Sequence, residues 1–274
     1  MDVRFCVLGS GSQGNAALLL AGPTHILIDI GFEPGELAAR MEGTGASWET
    51  LAAVVLTHTH GDHLKKRCLK EIAARGIPFH AHARHLEDLA AGRYFKRLAE
   101  AGRVRAYAAD RPIEWPGVRL LPLLVPHDCP PTFGFHIEAA NGDGHVRRVG
   151  YLADLGHCPD ELLGRVRDVD LLALEFNHDE HLERASGRHP HLVARVLGDH
   201  GHLSNRQAAE AFARVVALSG NSGPQRLVQM HLSQDCNRPE LAFRAASDVV
   251  QRLGTRTGIF STRQERRGTV HVLE

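Results

Sequence analysis

The most informative segment of this 274-residue chain is Thr57-His58-Thr59-His60-Gly61-Asp62-His63. It follows an apolar, β-branched run at residues 53–56, which predicts a buried strand. It precedes residues 64–75, whose pattern predicts a helix. Three imidazoles and a carboxylate are therefore expected on a turn between a strand and a helix. Packing alone does not favour such side chains there, and this donor set is typical of zinc, manganese or iron sites.

The spacing of these donors predicts two metal ions. In an extended stretch, residues two apart point the same way, so His58 and His60 are expected to share one ion. Asp62 and His63 follow where the chain bends into the helix, and we expect them to serve a second, nearby ion. Catalytic sites keep one coordination position for water, so further ligands are expected from distant loops.

Composition indicates an ordinary globular protein. Hydrophobic residues make up 43% and charged residues 23%, and there is no internal repeat or long linker, which favours one domain over residues 1–274. Lys+Arg and Asp+Glu are equal at 32 each, so no strong long-range attraction to nucleic acid is expected. Local basic patches remain open at residues 65–70 and 93–97, although a solvated helix face is the slightly favoured interpretation of both.

Cysteine usage indicates a cytoplasmic protein. The five cysteines are odd in number and form no CxxC pair, so a disulfide framework is not expected and a reducing compartment fits best. The first residues show no signal-peptide pattern, and no apolar run reaches membrane-spanning length. We therefore expect no membrane partner.

Strand-like and helix-like segments alternate along the whole chain, which predicts a mixed α+β/α/β class. Residues 86–101 are expected to be helical with a break at Gly92, and residues 204–219 to form a helix with Ser204 as N-cap. A hairpin turn is expected at residues 141–144.

Three further ionisable residues follow apolar, strand-like runs. His127 comes after residues 120–126, Asp154 after residues 149–153 and His231 after residues 227–230. Each is weak evidence alone, but the set and its order behind the histidine motif make them candidate ligands.

With these residues in this order, the chain resembles a metallo-β-lactamase-fold hydrolase. The resemblance implies a four-layered αβ/βα sandwich and two divalent ions, zinc or manganese, with iron as a further option. One ion would be bound by His58, His60 and His127, the other by Asp62, His63 and His231. Asp154 would bridge both ions, and Asp29 would brace the motif loop from outside the coordination shell.

A narrower resemblance is to the YycJ/WalJ branch of that fold. It rests on Leu8-Gly9-Ser10-Gly11-Ser12-Gln13-Gly14-Asn15, Glu175-Phe176-Asn177-His178-Asp179 and Gly198-Asp199-His200-Gly201-His202-Leu203-Ser204-Asn205. This branch implies phosphodiesterase activity, notably exonuclease action on DNA. Only 77 positions separate Asp154 from His231, which leaves no room for the large inserted domain of the RNA-processing relatives, so DNA is favoured over RNA.

The expected chemistry is phosphodiester hydrolysis by a hydroxide that bridges the two metals. Asp62 would orient this nucleophile, and His202 would give a proton to the leaving oxygen. By similarity to phosphodiesterases, Glu175 would orient His202. Candidate contacts to the substrate phosphate are His178, Ser12 and Asn15.

Other functions remain open at this point. The same metal core could serve a small cyclic phosphodiester, or a thioester or lactone as in enzymes that resemble glyoxalase II. A non-catalytic, metal-stabilised binding protein is disfavoured, because a scaffold has no use for open coordination positions. The sequence leaves open whether the chain works alone or as a homodimer.

Overall fold

The computed structural model describes residues 2–140, 142, 144–220 and 223–274. These residues form two compact units, each built from several chain segments. The first unit comprises Met1–Pro122, Ala139–Arg147 and Gln264–Glu274, and the second comprises Leu123–Glu138 and Arg148–Arg263. The single domain expected over residues 1–274 stays a prediction. The hairpin turn expected at residues 141–144 includes Asn141 and Asp143, which lie outside the described residues.

The first unit is built on a seven-stranded mixed sheet with the strand order β14-β1-β2-β3-β4-β5-β6. Its strands are β1 (Val3–Gly9), β2 (Ala16–Ala21), β3 (Thr24–Ile28), β4 (Ala53–Val55), β5 (Phe79–His82), β6 (Val104–Tyr107) and β14 (Val270–Leu273), and its helices are α1 (Pro34–Met41), α2 (Cys68–Arg75), α3 (Ala83–Leu89) and α4 (Arg93–Glu100). Strands β3 to β6 are parallel, whereas β14, β1, β2 and β3 are joined in antiparallel fashion. Strand β2 is buried along its whole length, as its unbroken apolar sequence predicts.

Helices α2 and α4 attach to this unit through amphipathic faces. Helix α2 contributes Cys68, Leu69 and Ile72 to the hydrophobic core, and α4 contributes Phe95 and Leu98. These positions repeat every three or four residues, so each helix buries one stripe and leaves the opposite face in solvent.

The second unit contains the sheet order β13-β12-β11-β10-β9-β8. It contains α5 (Asp160–Arg165), β11 (Leu171–Glu175), α6 (Glu180–Arg184), α7 (Pro190–Leu197), α8 (Asn205–Leu218), β12 (Arg226–Met230), α9 (Pro239–Leu253) and β13 (Gly258–Ser261). It also contains parts of β8 (Val118–Val125), β9 (Thr132–Ala140) and β10 (Val146–Leu152), whose remaining residues belong to the first unit. Strands β10 to β13 are parallel. The short strand β7 (Ile113–Trp115) pairs with the start of β8 inside the first unit. Within the described residues, no helix is both long enough and apolar enough to cross a bilayer.

The parallel strands determine where the candidate site residues emerge. In the second unit, β10, β11 and β12 run side by side, and Asp154, Glu175 and His231 lie at or just beyond their carboxyl ends. In the first unit, Asp29 directly follows β3, which is parallel to its neighbour β4. Loops at the carboxyl ends of parallel strands are the usual location of functional side chains in such sheets.

One predicted boundary is wrong, and two local predictions are confirmed. The helix expected over residues 64–75 begins only at Cys68, because the backbone before it bonds elsewhere: Ile30 donates to the His63 carbonyl at 2.9 Å, and Lys65 donates to the Ile30 carbonyl at 2.8 Å. The break at Gly92 separates α3 from α4 as predicted. Ser204 is the N-cap of α8 and forms a full capping box with its partner at the third helical position.

Gly31 is required by close backbone packing in the first unit. Its N–H donates to the Asn15 carbonyl at 3.0 Å, and the Asn15 N–H donates to the Asp62 carbonyl at 2.7 Å. A Cβ at Gly31 would collide with the carbonyl oxygen of Asp62 and crowd the Asn15 backbone. Three loops therefore meet at a point where only glycine fits.

We expect Gly31→Ala to destabilise the protein by about 3 kcal/mol, because the loops that carry Asn15 and Asp62 must move apart. The measurement is the free energy of urea unfolding. The matched control is Gly61→Ala, since a Cβ at Gly61 meets no atom within 4 Å, and it should change stability by less than about 0.5 kcal/mol. Equal stability of both variants would refute the packing argument.

Candidate metal centre

In the first unit, the side chain of Asp29 organises the histidine loop (residues 57–63). Asp29 is fully buried. Its Oδ1 accepts hydrogen bonds from the Thr57 N–H at 2.8 Å and the Thr57 hydroxyl at 3.0 Å, and its Oδ2 accepts from Nδ1 of His63 at 2.7 Å. A neutral imidazole that donates through Nδ1 carries its lone pair on Nε2, which is the form that binds a metal.

The imidazoles of the loop lie close together. The ring centroid of His58 lies 4.7 Å from that of His60 and 4.2 Å from that of His63. Nε2 of His63 lies 3.7 Å from Oδ2 of Asp62. The structure thus groups the four donors of the motif within one loop of the first unit.

The carboxamide of Asn15 lies against two of these donors. Its Nδ2 is 3.0 Å from Nε2 of His63 and 3.2 Å from Oδ2 of Asp62. Its Oδ1 accepts from the Ser10 hydroxyl at 2.8 Å and from the Gly11 N–H at 3.0 Å, which determines which way the amide faces. An N–H donor here is consistent with lone pairs on both partner atoms, and it shows that Asn15 positions donors rather than facing solvent.

In the second unit, Glu175 has the same organising role as Asp29 in the first. It is fully buried at the end of β11. Its Oε2 accepts from the backbone N–H groups of Leu155 and Leu203 at 3.1 and 3.2 Å, and its Oε1 accepts from Nδ1 of His202 at 2.7 Å and Nδ1 of His231 at 2.9 Å. One carboxylate therefore sets both the loop backbone and the orientation of two imidazoles.

Asp154 and His127 complete this cluster. Oδ1 of Asp154 lies 3.2 Å from Nδ1 of His231 and 3.4 Å from Nδ1 of His202. His127 donates through Nδ1 to the Gly201 carbonyl at 3.1 Å, and its ring centroid lies 5.2 Å from that of His202. As at His63, the lone pair of the neutral ring is then on Nε2, which in His127 lies 3.2 Å from Oδ1 of Asp128.

Asp154, Glu175, His202 and His231 each bring one donor atom within 4.8 Å of the others. We interpret this group as a hydrogen-bonded network, because the two imidazoles face the carboxylates with protonated Nδ1 atoms, which cannot bind a metal. Their Nε2 atoms are the ones suited to ligation or proton transfer.

Electrostatics differ between the buried carboxylates. Burial raises the pKa of Glu175, but the charge and hydrogen bond of His202, together with those of His231, outweigh it and lower the pKa to about 2. Burial raises the pKa of Asp29, although His63 and Thr57 oppose that shift. Burial also lowers the pKa of His127, which favours the neutral ring that a metal requires.

Backbone strain marks several of these positions. Asp29, Asp154 and His231 have φ values of 61°, 53° and 55°, in the left-handed region that side-chain-bearing residues rarely adopt. Each such residue costs on the order of 1–3 kcal/mol, and such strain persists where surrounding bonds hold it. Here each strained residue follows a strand, and its left-handed backbone turns the side chain away from the direction of that strand.

The remaining sequence candidates occupy different environments. His178 is fully buried, and burial lowers its pKa, whereas Ser12 is exposed. The phosphate contacts of His178, Ser12 and Asn15 stay predictions, as do the catalytic roles of Asp62, His202 and Glu175.

Sequence reasoning missed two partners that act through other residues. Thr57 binds both oxygens of Asp29, and the Asn177 amide donates to the His231 carbonyl at 3.1 Å. Both lie inside quoted motifs. Their place inside these motifs was the signal that could have identified them. The sequence did not show what they bind, because Asp29 and His231 are far from them along the chain.

Comparison with known proteins identifies the family of the chain. The model of the β-lactamase superfamily domain matches residues 24–232. The chain belongs to the β-lactamase superfamily. Exodeoxyribonuclease WalJ of Streptococcus pneumoniae serotype 2 is 28% identical over 250 residues, which cover 87% of this chain and 85% of WalJ. Exodeoxyribonuclease YycJ of Bacillus anthracis is 26% identical over 267 residues, which cover 94% and 93%.

The fold of this superfamily member is shared with YhfI of Bacillus subtilis, a metallo-β-lactamase fold protein. The TM-score is 0.70, with 16% identity and full coverage of both chains. The α/β sandwich class and the resemblance to the YycJ/WalJ branch are thus confirmed, and the protein is a metal-dependent hydrolase.

We expect Asn15→Ala to weaken zinc binding about tenfold, because the proposed ligand Asp62 loses a donor that its carboxylate can keep while it binds a metal. The metal-free protein should lose about 2 kcal/mol, because the buried Nε2 of His63 also loses its donor. Calorimetric titration with zinc and urea unfolding in a chelator measure the two effects. Gln13→Ala is the control, since that side chain is exposed in the same loop. Unchanged affinity and stability in Asn15→Ala would remove its positioning role.

We expect Glu175→Gln to cost about 3 kcal/mol in metal-free protein, because an amide nitrogen must face either two imidazole N–H groups or two backbone N–H groups. Chemical denaturation measures the loss. Glu210→Gln serves as control: Glu210 forms an exposed pair with Arg206 at 2.8 Å, worth less than about 1 kcal/mol. A Glu175 variant as stable as this control would contradict the network.

Proposed function

We propose that the protein is a dinuclear metal-dependent phosphodiesterase that acts as a DNA exonuclease. The observation that carries the proposal is the contact between His202 and the buried, anionic Glu175 at 2.7 Å. It provides an oriented proton donor for an alkoxide leaving group, which phosphodiester cleavage needs. The two relatives named exodeoxyribonucleases, matched over most of this chain, support DNA as the substrate.

We further propose that the two clusters act as one domain and share two divalent cations, zinc or manganese. Donor chemistry supports this assignment, because His63 and His127 both donate through Nδ1, which leaves the lone pair of the neutral ring on Nε2. In His63 a metal would take the lone pair that now faces the Asn15 amide at 3.0 Å. The proposed ligands of one ion are His58, His60 and His127, those of the other are Asp62, His63 and His231, and Asp154 serves both. When bound, such ions activate water and neutralise phosphate charge.

The residues of this chain would then divide the remaining work. Glu175 accepts a hydrogen bond from the Nδ1–H of His202, so the Nε2–H is the proton that the imidazolium would give to the leaving oxygen. The charge on Glu175 attracts the charge that His202 carries before transfer. The His202 side chain is 13% exposed and so can be reached by a substrate, whereas the Glu175 side chain is fully buried.

Asp62 is proposed to orient the attacking water. Its side chain is 20% exposed, unlike that of its neighbour His63, which is fully buried. Asp29 is proposed to act only through His63 and Thr57, which it holds by hydrogen bonds. The cysteine usage of the chain supports a reducing, cytoplasmic setting for this activity.

A thioester or lactone hydrolase on the same metal core is the second candidate. A thiolate departs without protonation, so thioester hydrolysis would not depend on His202, whereas a lactone releases an alkoxide that still needs a proton donor. The response to loss of that imidazole therefore separates phosphodiester from thioester hydrolysis, and a direct assay with a lactone tests the remaining option.

We expect His202→Ala to lower kcat on bis-p-nitrophenyl phosphate and end-labelled DNA by about 10²–10⁴-fold, because the leaving oxygen loses its proton donor. The smaller effect is expected on bis-p-nitrophenyl phosphate, because its nitrophenolate leaving group is a weak base and needs a proton less than the alkoxide of DNA does. Metal content, measured by mass spectrometry, should not change.

The matched control is His200→Ala, an exposed imidazole in the same loop, which should retain full turnover. Undiminished DNA cleavage by His202→Ala would reject His202 as donor. Thioester turnover without any phosphodiester turnover in the wild type would reject the exonuclease assignment.

A further inference from the structure

The lysines of this chain are concentrated in one segment. All four, Lys65, Lys66, Lys70 and Lys96, lie within 32 positions of a 274-residue chain whose other cations are arginines. Residues 65–105 hold eleven Lys and Arg against four Asp and Glu, in a chain with a net charge of zero. Positive charge is therefore local, and it begins two residues after His63.

The fold gathers this charge on α2 and α4. Both helices bury their apolar stripes in the core of the first unit, which turns their cations outward. Lys70 lies in α2 and Lys66 lies two residues before its first residue, whereas α4 presents Arg93, Lys96 and Arg97 at helical spacing. All five side chains belong to exposed residues. We call these five residues the basic face.

In the described part of the chain, no carboxylate pairs with the basic face. Among the residues that the structure describes, none of its five side chains lies within 4.0 Å of a carboxylate. Other exposed arginines differ: Arg75 pairs with Glu49 and Glu71, and Arg84 with Glu87 and Asp88. Cations that lie close together without a carboxylate repel one another. An anionic partner bound to this surface would offset that repulsion.

Tyr94 places an aromatic ring among these cations. Its hydroxyl accepts from Arg93 at 2.7 Å, and the Arg93 guanidinium lies 4.7 Å from its ring centroid. That hydrogen bond, followed by the charges of Arg93, Lys70 and Arg97, lowers the pKa of Tyr94. Arg93 thus contacts the ring, and the charges of Lys70 from α2 and Arg97 from α4 also act on its hydroxyl. An aromatic ring beside cations suits a strand offering both phosphates and bases.

We propose that the basic face binds the sugar–phosphate backbone of a single DNA strand, beyond the nucleotide that is cleaved. This inference rests on the proposed exonuclease function and adds where the rest of the substrate is held. Lysine ammonium groups suit this task, because they neutralise phosphates as mobile point charges without requiring a particular base.

The test uses the metal-loaded protein and a fluorescent, single-stranded phosphorothioate oligonucleotide that resists hydrolysis. In Lys70→Ala/Lys96→Ala, the Kd at low salt should rise roughly tenfold, measured by anisotropy. The slope of log affinity against log salt should become shallower by about 1.4, since each phosphate contact on a single strand contributes about 0.7. Turnover of bis-p-nitrophenyl phosphate should match the wild type.

The control is Arg244→Ala/Arg252→Ala, which removes two exposed cations from α9 in the second unit. It should bind DNA as the wild type does. An unchanged salt slope in the lysine variant, or an equal loss in the control, would overturn the basic face as the DNA site. A wild type that hydrolyses neither the diester nor DNA would instead defeat the exonuclease proposal.

Discussion

Two buried carboxylates, Asp29 and Glu175, are the interactions on which the candidate site depends. Each lies at the carboxyl end of a parallel strand, is fully buried, and uses its oxygens both for loop backbone N–H groups and for imidazole Nδ1 atoms. A buried carboxylate is costly unless such donors surround it. The same bonds that satisfy these charges therefore set the direction of the imidazoles.

Strain and close packing accompany these bonds. The left-handed backbone at Asp29, Asp154 and His231 is unfavourable by itself, but it turns each side chain away from its strand. In the first unit, Gly31 allows the loops bearing Asn15 and Asp62 to share backbone hydrogen bonds. The donor atoms are thus held by hydrogen bonds within the protein itself, which is what a preorganised site requires.

Local patterns predicted much of this structure. The strand before the histidine loop, the break at Gly92 and the Ser204 cap depend on short-range chemistry, and the structure shows all three. The start of α2 was predicted four residues early, because the backbone of Ile30 takes the hydrogen bonds that a longer helix would use. The periodicity of apolar residues near a helix does not reveal a contact with a residue more than 30 positions away.

The sequence by itself determined the types of donor, their order along the chain and the strand ends that carry them, since these follow from residue identity and short-range pattern. Only the tertiary structure decided which nitrogen each imidazole presents, and that the Asn15 amide contacts His63 and Asp62. The reason is physical: the tautomer of a ring is set by the partner of its other nitrogen. For His63 that partner lies 34 positions away, and for His231 it lies 56 positions away.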